Sequence, residues 1–295
     1  MIVVTSATGN IGKALVEELL AGKNKVRAVA RDPKKLEPLA KKGAETMAAD
    51  LTDAAATTKA FQGADAVFTL IPPKYNASDF RAYYNQVSQV YADAIKSSGV
   101  KYVVNLSSLG AHLPDKNGPI KGLYDHEQRL NKLAGVNILH LRPSYFMENQ
   151  FFSLGLIKGQ GINGSPIEPD VRFPMIATRD IARVAADRLV RRNFQGQSVL
   201  ELHGQRDLSL KEVTQVLGRA VGKPNLSYIQ FPYADAYKAM VDMGLSPDVA
   251  NLFNEMYKGF NEGIIQPTQP RSAATTTPTA IEDFAKVFAA VYSQS

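Results

Sequence analysis

Gly9 and Gly12 follow directly on the β-branched run Ile2-Val3-Val4-Thr5, and this is the first spacing in the chain that could do chemistry. A short apolar strand, the tight turn Ser6-Ala7-Thr8-Gly9-Asn10-Ile11-Gly12 and an amphipathic helix form the layout of a dinucleotide phosphate cradle. Glycine lets the backbone approach a pyrophosphate, and the free N–H groups of the helix N-terminus point at the anion. Thr5, Ser6, Thr8, Gly9, Asn10, Ile11 and Gly12 are therefore the first candidate cofactor contacts, with Ser6 standing where a third glycine is usual. The next strand ends in Val29-Ala30-Arg31. An NAD site places Asp or Glu there to hold the ribose 2′-hydroxyl, whereas an arginine suits a 2′-phosphate. With Lys35 one turn into the following helix, the expected cofactor is NADPH rather than NADH. A solvated arginine at a strand end is the competing reading.

Open α/β sheets bind ligands at the carboxyl ends of their strands. Asp50 and Leu51 end the third strand, Ile71 and Pro72 the fourth, Asn105 and Ser107 the fifth, and Pro143 with Tyr145 the sixth. Each has a structural role open to it, since prolines stop strands and serines cap turns. Their shared location favours a cofactor-lined crevice. Tyr145, Phe146, Met147, Phe151 and Phe152 either line an apolar pocket over a nicotinamide or pack between lobes. The helically spaced Met240, Met243, Phe253, Met256, Tyr257 and Phe260 read as core or dimer packing.

The elements that must position these residues alternate. From 1 to about 142, short β-branched runs at Ile2–Thr5, Val26–Ala30, Glu45–Ala49, Ala66–Ile71, Tyr102–Leu106 and Ile138–Leu141 are separated by helical patterns, as in a doubly wound parallel sheet. Asp32-Pro33 and Asp53 start helices, Gly43 and Gly63 end them, and a longer helix runs from about Ser78 to Ser98. The Gly- and Pro-rich stretch 155–174 reads as loops around a substrate lobe. Next come a helix at about Arg179–Arg191, capped by Thr178, and a strand at Val199–Leu202. Gln266–Thr279 reads as a linker, and Thr279-Ala280-Ile281-Glu282 as a capping box opening a last helix. The expected fold class is α/β. Residues 1–150 form the dinucleotide-binding domain and 151–295 mainly a small α/β substrate lobe, with segments at about 175–205 and 279–295 returning to the main domain.

Composition narrows the chemistry. A chain of 295 residues, 45% of them hydrophobic, buries a large core. It has no cysteine, which excludes disulfides, cysteine metal sites and thiol nucleophiles. The four histidines, at 112, 126, 140 and 203, lack the spacing of a ligand set, so no metal is expected. The net charge of +6 is scattered rather than blocked, which reads as a solvated surface and disfavours nucleic acid as a partner. No signal-peptide pattern or membrane-spanning run is read, and the expected location is cytoplasmic.

The glycine turn, Arg31, Leu141-Arg142-Pro143, Phe146-Met147-Glu148-Asn149 and Ala177-Thr178-Arg179-Asp180-Ile181-Ala182 together resemble the NmrA-like branch of the atypical short-chain dehydrogenases, over nearly the whole chain. The resemblance implies a Rossmann domain with a small C-terminal lobe forming the substrate cleft. It implies either an NADPH-dependent reductase of quinones or triphenylmethane dyes, or a redox sensor that binds the dinucleotide without turnover. In the wider superfamily a Tyr and Lys four residues apart exchange the proton. No tyrosine here has that lysine, and the best placed, Tyr124, is followed by Gln128. Ordinary carbonyl reduction needs such an acid, whereas hydride transfer to a quinone or dye leaves a delocalised, weakly basic product. Tyr124, His126 and Tyr145 are the remaining candidate proton donors. The expected partner is a small-molecule acceptor; a homodimer and, for a sensor, a protein partner stay open.

Overall fold

The computed structural model describes residues 1–294; Ser295, the last residue assigned to the substrate lobe, lies outside the described residues. Its first half is β1 (Ile2–Val4), α1 (Asn10–Ala21), β2 (Val26–Ala30), α2 (Pro33–Lys41), β3 (Glu45–Ala48), α3 (Ala54–Phe61), β4 (Ala66–Thr69), α4 (Phe80–Ser98), β5 (Tyr102–Leu106), α5 (Lys121–Leu130) and β6 (Asn137–Pro143). There follow β7 (Tyr145–Phe146), α6 (Leu154–Gln160), β8 (Ile162–Ser165), β9 (Arg172–Ile176), α7 (Thr178–Arg191) and β10 (Gln197–Leu202). The chain ends in β11 (Asp207–Ser209), α8 (Leu210–Ala220), β12 (Ser227–Gln230), α9 (Tyr233–Asp242), α10 (Pro247–Asn261) and α11 (Ile281–Gln294).

Seven parallel strands form the main sheet in the order β10-β6-β5-β4-β1-β2-β3. Period-2 alternation sorts neighbouring residues to opposite faces. Val4, Phe68, Val104 and Leu139 pack with Leu15 of α1 and Ile181 of α7. Val3, Val67, Val103 and Ile138 pack with Phe61 of α3 and Tyr91 of α4. The chain runs outward in one direction from β1 and in the other from β4, so the switch point lies between these two strands. Thr5 ties it shut: its hydroxyl donates to the Phe68 carbonyl and accepts from the Leu70 amide, both at 3.0 Å.

Helix starts follow side-chain chemistry where oxygen is available. Asp32, Asp53 and Asp79 accept from backbone N–H groups of α2, α3 and α4. The expected cap at Thr178 is not formed. Ala177 precedes α7, Thr178 is its first residue, and the Thr178 N–H and hydroxyl both donate to Glu148.

The expected linker is instead a strap bound to the edge of the main sheet. Buried Glu201 accepts from the Thr268 N–H and hydroxyl, the Gln269 N–H and His203 Nε2. The Gln269 side-chain amide donates to the Val199 carbonyl and accepts from the Glu201 N–H, standing in for a neighbouring strand. The capping box at Thr279 is likewise absent, because its N–H and hydroxyl donate to Asp180, while Glu282 pairs with Arg206. In α11, Ile281, Phe284 and Phe288 join Leu210, Val213 and Leu217 of α8 in a third cluster.

Candidate active site

At the switch point the turn after β1 holds Ser6 in the left-handed region, at φ 51°, with its hydroxyl donating to the Leu70 carbonyl at 3.0 Å. Gly12 lies directly under that turn. A Cβ there would sit 2.3 Å from the Ser6 carbonyl oxygen and 2.9 Å from Ala7 Cα, so only glycine lets α1 approach the strand this closely. Gly9 precedes α1 and offers no side chain to cap it, which leaves the helix's first N–H groups facing the cleft. Arg31 is exposed just beyond β2, with no hydrogen bond or ion pair to another described residue. These features fit the phosphates of a dinucleotide.

From this cradle a cleft of about 700 Å³ crosses the carboxyl ends of the strands. Ser6, Thr8, Gly9, Asn10, Ile11, Arg31 and Lys35 line one part of it, and Leu51, Ile71, Pro72 and Ser107 continue the wall. Six other expected contacts, Thr5, Gly12, Asp50, Asn105, Pro143 and Tyr145, are not among the lining residues. Thr5 and Gly12 are spent on the turn, and Pro143 is buried at the end of β6. Asn105 bonds Thr69 and His140 inside the sheet. Asp50 accepts from the Thr52 N–H and hydroxyl, bonds that with the nearby Arg31 charge hold its carboxyl below the usual range.

Ser107 is fixed from below. Its hydroxyl donates to Glu127 at 2.5 Å, and the Arg142 guanidinium grips the same carboxylate through Nε and a terminal nitrogen, at 2.9 and 2.5 Å. Both partners are buried, and they tie α5 to the end of β6 beneath the cleft.

The remaining wall is aromatic. Tyr75, Phe146, Phe151, Phe152 and Phe253 line it, together with Pro119, Ile120 and Leu123. The expected cluster thus divides: Phe146, Phe151 and Phe152 face the cleft, whereas Met147 is buried and Tyr145 packs on Phe173 and Phe260. Phe253, read from sequence as packing, faces the cleft and pairs with Tyr75 at 6.1 Å between ring centroids. Nothing local in the sequence links residues so far apart. Glu148, Asn149 and Thr178 also line the cleft; they sit in the Phe146–Asn149 and Ala177–Ala182 motifs, where sequence reasoning gave Glu148 and Asn149 no role and Thr178 only that of a helix cap.

None of the three candidate proton donors reaches the cleft lining. Tyr124 lines a separate groove between α4 and α5, with Asn85, Gln89 and Arg129. His126 is wholly buried with Nδ1 2.7 Å from the Ser88 hydroxyl; burial, with the charges of His140 and Arg129, lowers it to about 3, so it stays neutral. Burial pushes the Tyr145 hydroxyl far up. Among the described residues no His, Cys, Asp and Glu group could hold a metal, and no helix is long and apolar enough to cross a membrane.

The fold closely matches the Escherichia coli NADPH-dependent quinone oxidoreductase QOR2 complexed with NADPH, with TM-score 0.80 and 23% identity over 98% of this chain and 99% of that one. It matches the Citrobacter sp. triphenylmethane reductase complexed with NADP(H) at TM-score 0.79 and 19% identity, over 98% of this chain and all (100%) of the other. In sequence the chain is 29% identical to an NAD(P)H azoreductase of Xenophilus azovorans, over 99% of each. The NmrA-like family profile matches residues 1–285, and the chain belongs to the NmrA-like family.

Proposed function

We propose that this chain is an NADPH-dependent oxidoreductase that delivers hydride to a planar, electron-poor acceptor of the quinone or dye type. The observation that carries the reading is a single cleft joining an uncapped helix N-terminus and a free arginine to an aromatic wall. Its similarity to reductases of azo compounds, quinones and triphenylmethane dyes supports an NAD(P)H-linked oxidoreductase. Bound NADPH supplies the hydride. The protein's share is position. The N–H groups at Asn10 and Ile11 take the pyrophosphate, and Arg31 with Lys35 takes the 2′-phosphate. Ile71, Pro72 and Ser107 floor the reacting end. Tyr75, Phe146, Phe151 and Phe253 present flat apolar faces and exclude water.

The test is NADPH oxidation against a panel of quinones, azo compounds and triphenylmethane dyes. Acceptor-dependent oxidation well above the buffer rate is expected. Tight NADPH binding with no oxidation by any acceptor would overturn the reading and leave a dinucleotide sensor in its place.

A further inference from the structure

Reduction of a quinone to a hydroquinone takes a hydride and a proton, and the donors expected from sequence do not face the cleft. Glu148 does, and it is the sole carboxyl group among the described residues lining it. Its side chain is held, not loose: Oε1 accepts from the Thr178 hydroxyl at 2.6 Å, and both oxygens accept from the Thr178 N–H at 3.0 and 3.1 Å. It stands next to Asn149 and two residues after Phe146, on the segment that builds the aromatic wall.

From this placement we infer that Glu148 is the acid that protonates the reduced acceptor. The inference rests on the hydride-transfer reading above. Hydride addition to a quinone leaves a phenolate oxygen. The O–H bond of the Glu148 carboxyl breaks, its proton forms the new phenol O–H, and the carboxylate recovers a proton from water at the open mouth of the cleft. The surroundings of Glu148 favour the protonated form that such a donor needs. Burial, the largest influence, raises the carboxyl above its ordinary range. Hydrogen bonds from Thr178 and the Arg179 charge on the same helix end only partly offset it.

The same carboxylate also closes the N-terminus of α7, where Ala177 offers no cap, so the test must separate proton delivery from capping. Glu148→Gln keeps an oxygen for the Thr178 N–H and removes the acid. Two acceptors divide the roles, because a neutral quinone needs a proton whereas a triphenylmethane dye cation becomes neutral on hydride addition and needs none. In Glu148→Gln, quinone reduction should fall by at least about 10-fold. Dye reduction, NADPH affinity and thermal midpoint should stay close to the parent protein's. A parallel loss with both acceptors and in thermal midpoint, or an unchanged quinone rate, would overturn the inference in favour of a capping role.

A readout free of turnover is the titration of the ¹³C-labelled glutamate carboxyls, with Glu148 assigned by its disappearance in Glu148→Gln. Its midpoint should lie above the ordinary glutamate value of 4.5. A midpoint at or below that value removes the acid. Thr178→Val, which deletes the hydroxyl bond but leaves the acid, should raise the midpoint further; a fall in the midpoint would contradict the assigned geometry. A parent protein that reduces neither acceptor would defeat the hydride-transfer reading itself, whatever the carboxyl titration shows.

Discussion

Ser6 places an ordinary side chain in a left-handed turn, where a β-carbon costs about 1–2 kcal/mol and glycine costs nothing. What offsets this is its hydroxyl bond to the Leu70 carbonyl across the switch point, worth about 1 kcal/mol. Ser6→Gly exchanges one for the other and should change stability by less than about 1 kcal/mol. Ser6→Ala keeps the strain and loses the bond, so it should be the less stable of the two by urea denaturation. The reverse order would refute this account of the turn. Gly12 has no such latitude, because an added Cβ meets fixed backbone at Ser6 and Ala7. At Arg31 the question is charge rather than shape. Arg31→Ala should weaken NADPH binding about 10- to 100-fold by loss of charged hydrogen bonds, and leave NADH nearly unaffected. Equal losses measured by calorimetry for both cofactors would reject a 2′-phosphate contact.

At the scale of elements, β1 to β6 were legible because β-branched runs, aspartate caps and terminal glycines repeat one local grammar. The strap at 266–279 was not. Its Pro, Thr and Ser composition has the look of a linker, and what orders it is a buried carboxylate some 67 residues earlier in the chain. Burial raises the Glu201 carboxyl, but the bonds from His203, Gln269 and Thr268 outweigh it and hold it at about 2 against an ordinary 4.5. A folded-state value below the unfolded one stabilises above the unfolded value, and that stability is lost as pH falls. The window therefore runs from about 4.5 down to about 2, with a magnitude of roughly 3 kcal/mol. Thermal melts should show the parent losing stability across that window. Glu201→Gln, less stable at neutral pH, should converge on the parent as pH falls. A constant gap between the two proteins would show that the carboxylate does not hold the strap.

For the whole molecule, the end of the cleft beside the glycine turn is built from strand ends close to their turns, and Gly9, Arg31 and Ser107 could be found by position alone. The aromatic end is assembled from distant segments: Tyr75 after β4, Phe151 after β7 and Phe253 on α10. Their spacing in sequence reports only the helix or loop each belongs to, so packing and binding look alike until the chain is folded. This division predicts separable function. Phe253 and Tyr75 pack on each other as tilted rings, 6.1 Å between centroids and 45° between planes, at the cleft wall, and Tyr75 is 39% exposed, so a flat acceptor gains apolar contact area along this pair. Each contact of this kind contributes about 0.5–1.5 kcal/mol beyond area burial. Phe253→Ala should therefore raise KM for a large polycyclic quinone by roughly 3- to 10-fold, with a smaller effect for a single-ring quinone. NADPH affinity should hold, since the phosphate cradle and Arg31 lie on other elements. Loss of NADPH binding together with acceptor binding would mean that Phe253 supports the lobe rather than the acceptor. Equal KM changes for large and small quinones would remove the stacking wall as the source of selectivity.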